Sequence, residues 1–280
     1  MKGILFLSFL TLFIYSANAQ KQADTAPIVE EGKRLYQSEM ASWYGTDIFL
    51  ERFKEEQENI GGYLSYGDRD SARCVFYSKG PSPLAIATII FDSTYDIKIA
   101  RVDKSMRTMT PLETDLAALR LKAMEVMNSD TMFRMYNNTN FNIIPIISGN
   151  EKKVYVLTGP KNSGVVIFGN DYLLRFDKDN SLISKKQLHR NIIPIEYGKQ
   201  QEMVVLGTMH SHSPETGDLI TATDICTLML YSKFANWKQH YVISENYVSI
   251  WDCLNNQLIT ITREAWDKMG KDQEKRNKDK

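Results

Sequence analysis

Gly207-Thr-Met-His210-Ser-His212-Ser-Pro-Glu-Thr-Gly-Asp-Leu-Ile-Thr221-Ala-Thr-Asp224 carries two of the four histidines in the chain, with an aspartate following in the next element. The apolar run Met203-Val-Val-Leu-Gly207 leads in and reads as a short buried strand. Thr221-Ala-Thr-Asp224-Ile-Cys-Thr-Leu-Met-Leu-Tyr231 leads out and reads as a capped helix. The imidazoles are therefore expected at a strand end and the carboxylate in the first turn of a helix. Side chains at i and i+2 of an extended segment point the same way, so His210 and His212 can converge on one ion, with Asp224 as a third ligand. Three protein ligands leave one tetrahedral position for water, as in a catalytic zinc site, and bound zinc lowers the pKa of that water to about 7. The same residues also fit an exposed polar turn that holds no metal.

Upstream of this stretch the pattern is strand-rich. Phe141–Ile147 and Lys153–Leu157 flank Ser-Gly-Asn, a hairpin turn. Gly164–Phe168 and Tyr172–Phe176 follow, joined by Gly169-Asn-Asp171. Asp177-Lys-Asp-Asn180 reads as a charged turn, since it lacks the full set of oxygen ligands of a calcium loop. Thr158–Gly164 has the glycines and lysine of a phosphate loop, but neither the spacing nor a following helix. His189, in Gln-Leu-His-Arg-Asn, reads as a surface residue near a strand start.

Thr110-Pro-Leu-Glu113 is a helix start with cap, proline and reciprocal glutamate, and the helix runs to about Met127. Glu113 is accordingly a capping carboxylate. Before it, two helical stretches, Glu30–Trp43 and Asp47–Glu58, end at Gly61-Gly62. The period then shifts to two over Tyr63–Tyr66, Ala72–Tyr77, Leu84–Phe91 and Asp96–Val102, an antiparallel meander. Downstream, His240 opens the first of two strands linked at Ser244-Glu-Asn246 and reads as half-buried. Leu258–Ile261 is a last strand, and Arg263–Met269 a short helix before a charged tail.

Met1-Lys-Gly, an apolar run from Ile4 to Tyr15 and Ser-Ala-Asn-Ala19 together read as a secretory leader cut after Ala19. The remainder holds no apolar segment long enough to span a bilayer. Export to the periplasm or beyond the cell is therefore expected. Basic and acidic side chains number 34 each, a balance that argues against nucleic acid or an anionic membrane as partner. The odd cysteine count excludes a disulfide framework, leaving either one bridge, with Cys226 and Cys253 the first candidates, or free thiols. The expected organisation is leader 1–19, a helical and antiparallel region 20–105, an α/β domain 106–262 and a helix with charged tail 263–280.

Residues 110 to 255 resemble a JAMM/MPN zinc metalloprotease domain, whose signature is His-x-His on a strand followed by a serine, two residues and an aspartate opening a helix. His210, His212 and Asp224 match the zinc-binding residues, and Thr221 falls at the serine. The resemblance implies a mixed sheet flanked by helices, zinc, and hydrolysis of a peptide or cell-envelope amide. In that chemistry the Thr221 hydroxyl would donate to the oxyanion. One extra residue separates His212 from Thr221, and the proline after the second histidine stands one place late, at Pro214. The family's catalytic glutamate has no counterpart on the strands from Phe141 to Phe168. Glu215 is the nearest substitute in sequence, ahead of Glu202, Glu196 and Glu245. General acid–base assistance is commonly worth about 10²- to 10⁴-fold, so its loss separates a hydrolase from a binding or assembly module on the same fold.

Overall fold

A computed structural model describes residues 24–68, 70–198 and 207–278. The expected leader and the segment Met203–Leu206 lie outside them. The chain is mixed α/β, with three largely separate antiparallel sheets and one mixed sheet arranged about two helices.

Helix α1 (Ala26–Arg52) is continuous where two helices were expected. It buries Gly32, Leu35, Ser38, Ala41, Gly45, Ile48 and Phe49, a stripe at three- and four-residue spacing. Gly45 does not break it; a Cβ there would meet the Cys74 Cβ at 2.5 Å, so the glycine serves a close helix–sheet approach. That sheet comprises β1 (Ile60–Asp68), β2 (Ser71–Ser78), β3 (Leu84–Asp92), β4 (Arg101–Asp103) and β5 (Arg107–Thr108), all antiparallel. The expected fourth strand shrinks to three residues because residues 97–99 form a turn, and the Asp96 carboxylate caps the Lys98 amide.

Helix α2 (Pro111–Ser129) opens with the expected capping box between Thr110 and Glu113. Both Glu113 carboxylate oxygens also accept from the Arg107 guanidinium at 2.7 Å, and Tyr66 donates to one of them. A second sheet runs β10 (Leu182–Gln187), β9 (Tyr172–Phe176), β7 (Glu151–Pro160), β6 (Thr139–Ser148). The β6–β7 hairpin falls at Ser148-Gly-Asn150 as expected. Strand β8 (Val165–Gly169) pairs instead with β11 (Ile192–Glu196), so Gly169-Asn170-Asp171 is a crossing between sheets.

The last sheet has order β12 (Gly207–Ser211), β13 (Gln239–Ile243), β14 (Tyr247–Asp252), β15 (Gln257–Thr262), with β12 parallel to β13 and the others antiparallel. Helix α3 (Ala222–Tyr231) makes the β12-to-β13 crossover, as a parallel pair requires. Its Ile225 and Leu228 pack with Val166, Phe168, Trp237, Val242 and Trp251, while Cys226 and Leu230 join Leu35, Ile144, Tyr155 and Leu173. Helices α1 and α3 thus share one interior, and a Cβ on Gly32 would meet Ile225 at 2.7 Å. Helix α4 (Arg263–Lys278) runs exposed past Gly270, where a tail was expected. The three cysteines are free thiols, so the Cys226–Cys253 bridge does not form. Among the described residues no helix is long and apolar enough to cross a membrane.

Candidate metal centre

Strand β12 is exposed at Gly207, Met209 and Ser211, and buries His210 and then His212, so the two-residue period puts both imidazoles on its inner side. Main-chain pairing continues one step past the strand, where the His212 amide donates to the Ile243 carbonyl at 2.9 Å. Asp224 enters from the first turn of α3, where it is also the third residue of a capping box on Thr221. The three residues meet. The Nε2 of His212 lies 3.1 Å from that of His210 and 3.2 Å from Asp224 Oδ2, and His210 Nε2 lies 3.5 Å from Asp224 Oδ1.

A fourth donor completes the group. His189, expected at the surface, is buried, with its Nε2 3.0 Å from that of His212 and 3.6 Å from Asp224 Oδ2. It sits in the β10–β11 link, which the Gly169-Asn170-Asp171 crossing grips. The Asp171 carbonyl accepts from the Leu188 amide, and the Asp171 carboxylate accepts from both the His189 amide at 3.1 Å and its Nδ1 at 2.7 Å. Gly169 has φ +80 and a Cβ there would meet the Asn191 carbonyl at 2.1 Å, so only glycine fits this crossing. Asn170 anchors the next position by donating to the Arg134 carbonyl and the Thr158 hydroxyl. Thr223 of α3 donates to the other Asp171 oxygen.

His240 lies behind His210 and is fully buried rather than half-buried. Its Nε2 pairs with His210 Nδ1 at 2.8 Å and its Nδ1 with the Thr208 hydroxyl at 2.7 Å. When His240 donates from Nδ1 to Thr208, its Nε2 accepts from His210 Nδ1, which leaves the His210 Nε2 lone pair facing the group. Asp171 sets the same tautomer on His189. All four histidines of the chain are thus used within one neighbourhood.

The donor atoms of His189, His210, His212 and Asp224 lie within 4.8 Å of one another and could hold a metal ion. Hydrogen bonding alone leaves some of these contacts unpaired. The His212 Nε2 faces two ring nitrogens and a carboxylate oxygen, and a single N–H can serve only one of them. A central cation uses every inward lone pair. Ligands at about 2.0–2.1 Å from a tetrahedral ion are about 3.3–3.4 Å apart; neighbouring donors, taken to either Asp224 oxygen, stand 3.0 to 3.6 Å apart, near that edge, while the whole set lies within 4.8 Å.

Burial holds the pKa of His210 down to about 4 and that of His240 to about 3, so both are neutral, the state a ligand or its partner needs. Burial also opposes charge on His189, but Asp171 and Asp224 outweigh it and raise its pKa to about 9, so without an ion it is protonated at neutral pH and would release that proton on serving as a ligand. Burial would raise the Asp224 pKa; the surrounding histidines instead bring it well below the ordinary carboxylate range.

The remaining expected site residues lie differently. The Thr221 hydroxyl donates to Asp224 Oδ2 at 2.7 Å and accepts from the Asp224 amide, so it is engaged in the helix cap. Glu215 is exposed on the turn after Ser213, whose hydroxyl lowers its pKa, and it does not join the buried donors. Glu196 and Glu245 are also exposed, and Glu202 lies outside the described residues. His189 has no periodic context in sequence that would have singled it out; the available signal was that Gly169-Asn-Asp171 places an acid after two turn-forming residues.

No family model, no curated protein and no solved structure matches the chain.

Proposed function

We propose that this is an exported zinc protein of JAMM-like descent in which the ion is held by four protein ligands, His189, His210, His212 and Asp224, and acts as the core of a binding or assembly module. The observation that carries this reading is the His189 Nε2, a fourth buried donor at 3.0 and 3.6 Å from two of the others, which supports a site filled by protein ligands. Closed tetrahedral sites are structural; catalytic ones keep a vertex open. The donor set suits zinc, because imidazole with a single carboxylate at tetrahedral spacing is the wrong environment for calcium or magnesium, which take six or more oxygens.

The hydrolase reading keeps one specific support. Asp171 holds His189 through both the ring and the main chain. If His189 stepped off the ion, it would free a vertex and stand beside the incoming water as a base, the role for which no glutamate is in place among the described residues. A peptide or cell-envelope amide would then be the substrate.

X-ray absorption on the zinc-loaded chain, with visible absorption of the cobalt-substituted form, separates the two. Four nitrogen or oxygen scatterers at about 2.0 Å and an intense tetrahedral cobalt band, unchanged by added hydroxamate, are expected for the closed site. A hydroxamate-sensitive band would establish an open vertex and the hydrolase. Equal zinc content in wild type and His212→Ala would remove the metal reading altogether.

A further inference from the structure

Away from the metal centre, a cleft of about 510 Å3 opens between α1, the β7–β8 link and the end of α3, within the range of about 300–1,000 Å3 usual for small-molecule sites. Its chemistry is uneven. Trp43 and Phe234 face it with 41% and 55% of their surface exposed, although large aromatic rings are ordinarily mostly covered. The Trp43 ring lies 6.2 Å from those of Tyr231 and Phe234, so three aromatic rings bound one side.

Glu39 of α1 lines the same cleft and accepts from the Asn142 amide. Protein packed around this carboxylate raises its pKa to about 7. Two cations lie in the neighbourhood. Arg120 stacks on the Tyr63 ring, 4.7 Å from its centroid, and its pull on Glu39 ranks behind burial and Asn142. Lys161 is exposed and lines the cleft, as does a second carboxylate, Asp47.

We propose that this cleft binds a small organic cation, a primary or quaternary ammonium, with its charge against Glu39 and its carbon groups on Trp43, Tyr231 and Phe234. A carboxylate withdrawn from water without a full partner is costly, and a cation restores what it lost. Ring faces attract the same charge, tryptophan most strongly. A neutral guest would gain the ring contacts alone, and an anion would meet Glu39 and Asp47. The inference is independent of the metal centre, because none of the four metal donors lines the cleft.

The test uses the full chain as purified, titrated with choline by calorimetry and by tryptophan fluorescence. The neutral isostere 3,3-dimethylbutan-1-ol serves as control. Saturable choline binding at pH 8 is expected, about tenfold weaker at pH 6 as Glu39 takes up its proton. Glu39→Gln should weaken it at least tenfold and remove the pH dependence. Trp43→Ala, at an exposed position that tolerates truncation, should weaken binding while leaving the pH dependence intact. The proposal is overturned if the isostere binds as tightly as choline, if a folded Glu39→Gln chain binds choline undiminished, or if no saturation is reached by about 100 mM.

Discussion

His212 carries the strongest local argument for an ion in the cluster. Its Nε2 is crowded by three acceptor-capable atoms, and its Nδ1, also buried, finds no hydrogen-bond partner among the described residues. A buried orphan of this kind costs about 1–3 kcal/mol, which a metal bond at the other nitrogen readily offsets. His212→Ala and His189→Ala should therefore abolish stoichiometric zinc binding in a chelator competition. Asp171→Asn, which keeps all four donors but weakens the hold on His189, should cost about 10- to 100-fold in affinity. If Asp171→Asn bound zinc like wild type, His189 would not be a ligand that Asp171 orients. Glu39 gives a second prediction at this scale. Its folded pKa of about 7 lies above the ordinary 4.5. Its contribution to stability is thus complete below about 4.5 and is lost as pH rises through about 7. Glu39→Gln should raise the melting temperature relative to wild type at pH 8, and the difference should vanish near pH 4.5. A constant offset across that range would contradict the assignment.

At the scale of elements, α2 and α3 start with the same device and differ in what it carries. Thr110 and Thr221 each cap a helix whose third residue is acidic, but Glu113 turns to Arg107 whereas Asp224 turns to the histidines. Thr110→Ala should cost about 1 kcal/mol of stability in denaturant unfolding, the usual value of a lost cap, and leave zinc affinity unchanged. Thr221→Ala should cost a similar amount and also weaken zinc, because it frees the carboxylate that the cap hydroxyl orients. Equal zinc affinity in the two variants would show that the cap plays no part in aiming Asp224. Capping boxes are written in adjacent residues, which is why both helix starts, the β6–β7 hairpin and the convergence of His210, His212 and Asp224 were legible in the sequence. His189 was not, since its position depends on hydrogen bonds from Asp171, reached through a crossing that only a positive φ at Gly169 allows. The unbroken α1 was hidden for a related reason: Gly45 reads as a breaker until Cys74 is known to lie against it.

Over the whole molecule, the donors arrive from the β10–β11 link, β12 and α3, with support from β13 and from the β8–β9 crossing, so one ion would join parts of the chain that share no continuous sheet. Helix α3 in turn meets α1 at the Gly32–Ile225 approach, where no Cβ fits, and α1 covers the N-terminal sheet. Binding to the folded state alone stabilises by about 2.7 kcal/mol at a free zinc concentration 100 times Kd, and each kcal/mol moves the melting temperature by about 2–4 °C in a chain of this size. Zinc should accordingly raise the melting temperature by about 5–10 °C over the chelated protein, and His189→Ala should not respond. Hydrogen exchange locates the effect. Removing the ion should first release amides around His189, in β12 and at the start of α3, then those of α1 facing Ile225, because the helices pack too closely there for one to loosen alone. Strands β1 to β3, whose interior rests on Ile48 and Phe49 farther along α1 packed against Phe76 of β2, should keep their protection. Uniform loss across all sheets would mean that the ion holds up the entire fold, and no loss in α1 would mean that its contact with α3 carries none of the coupling.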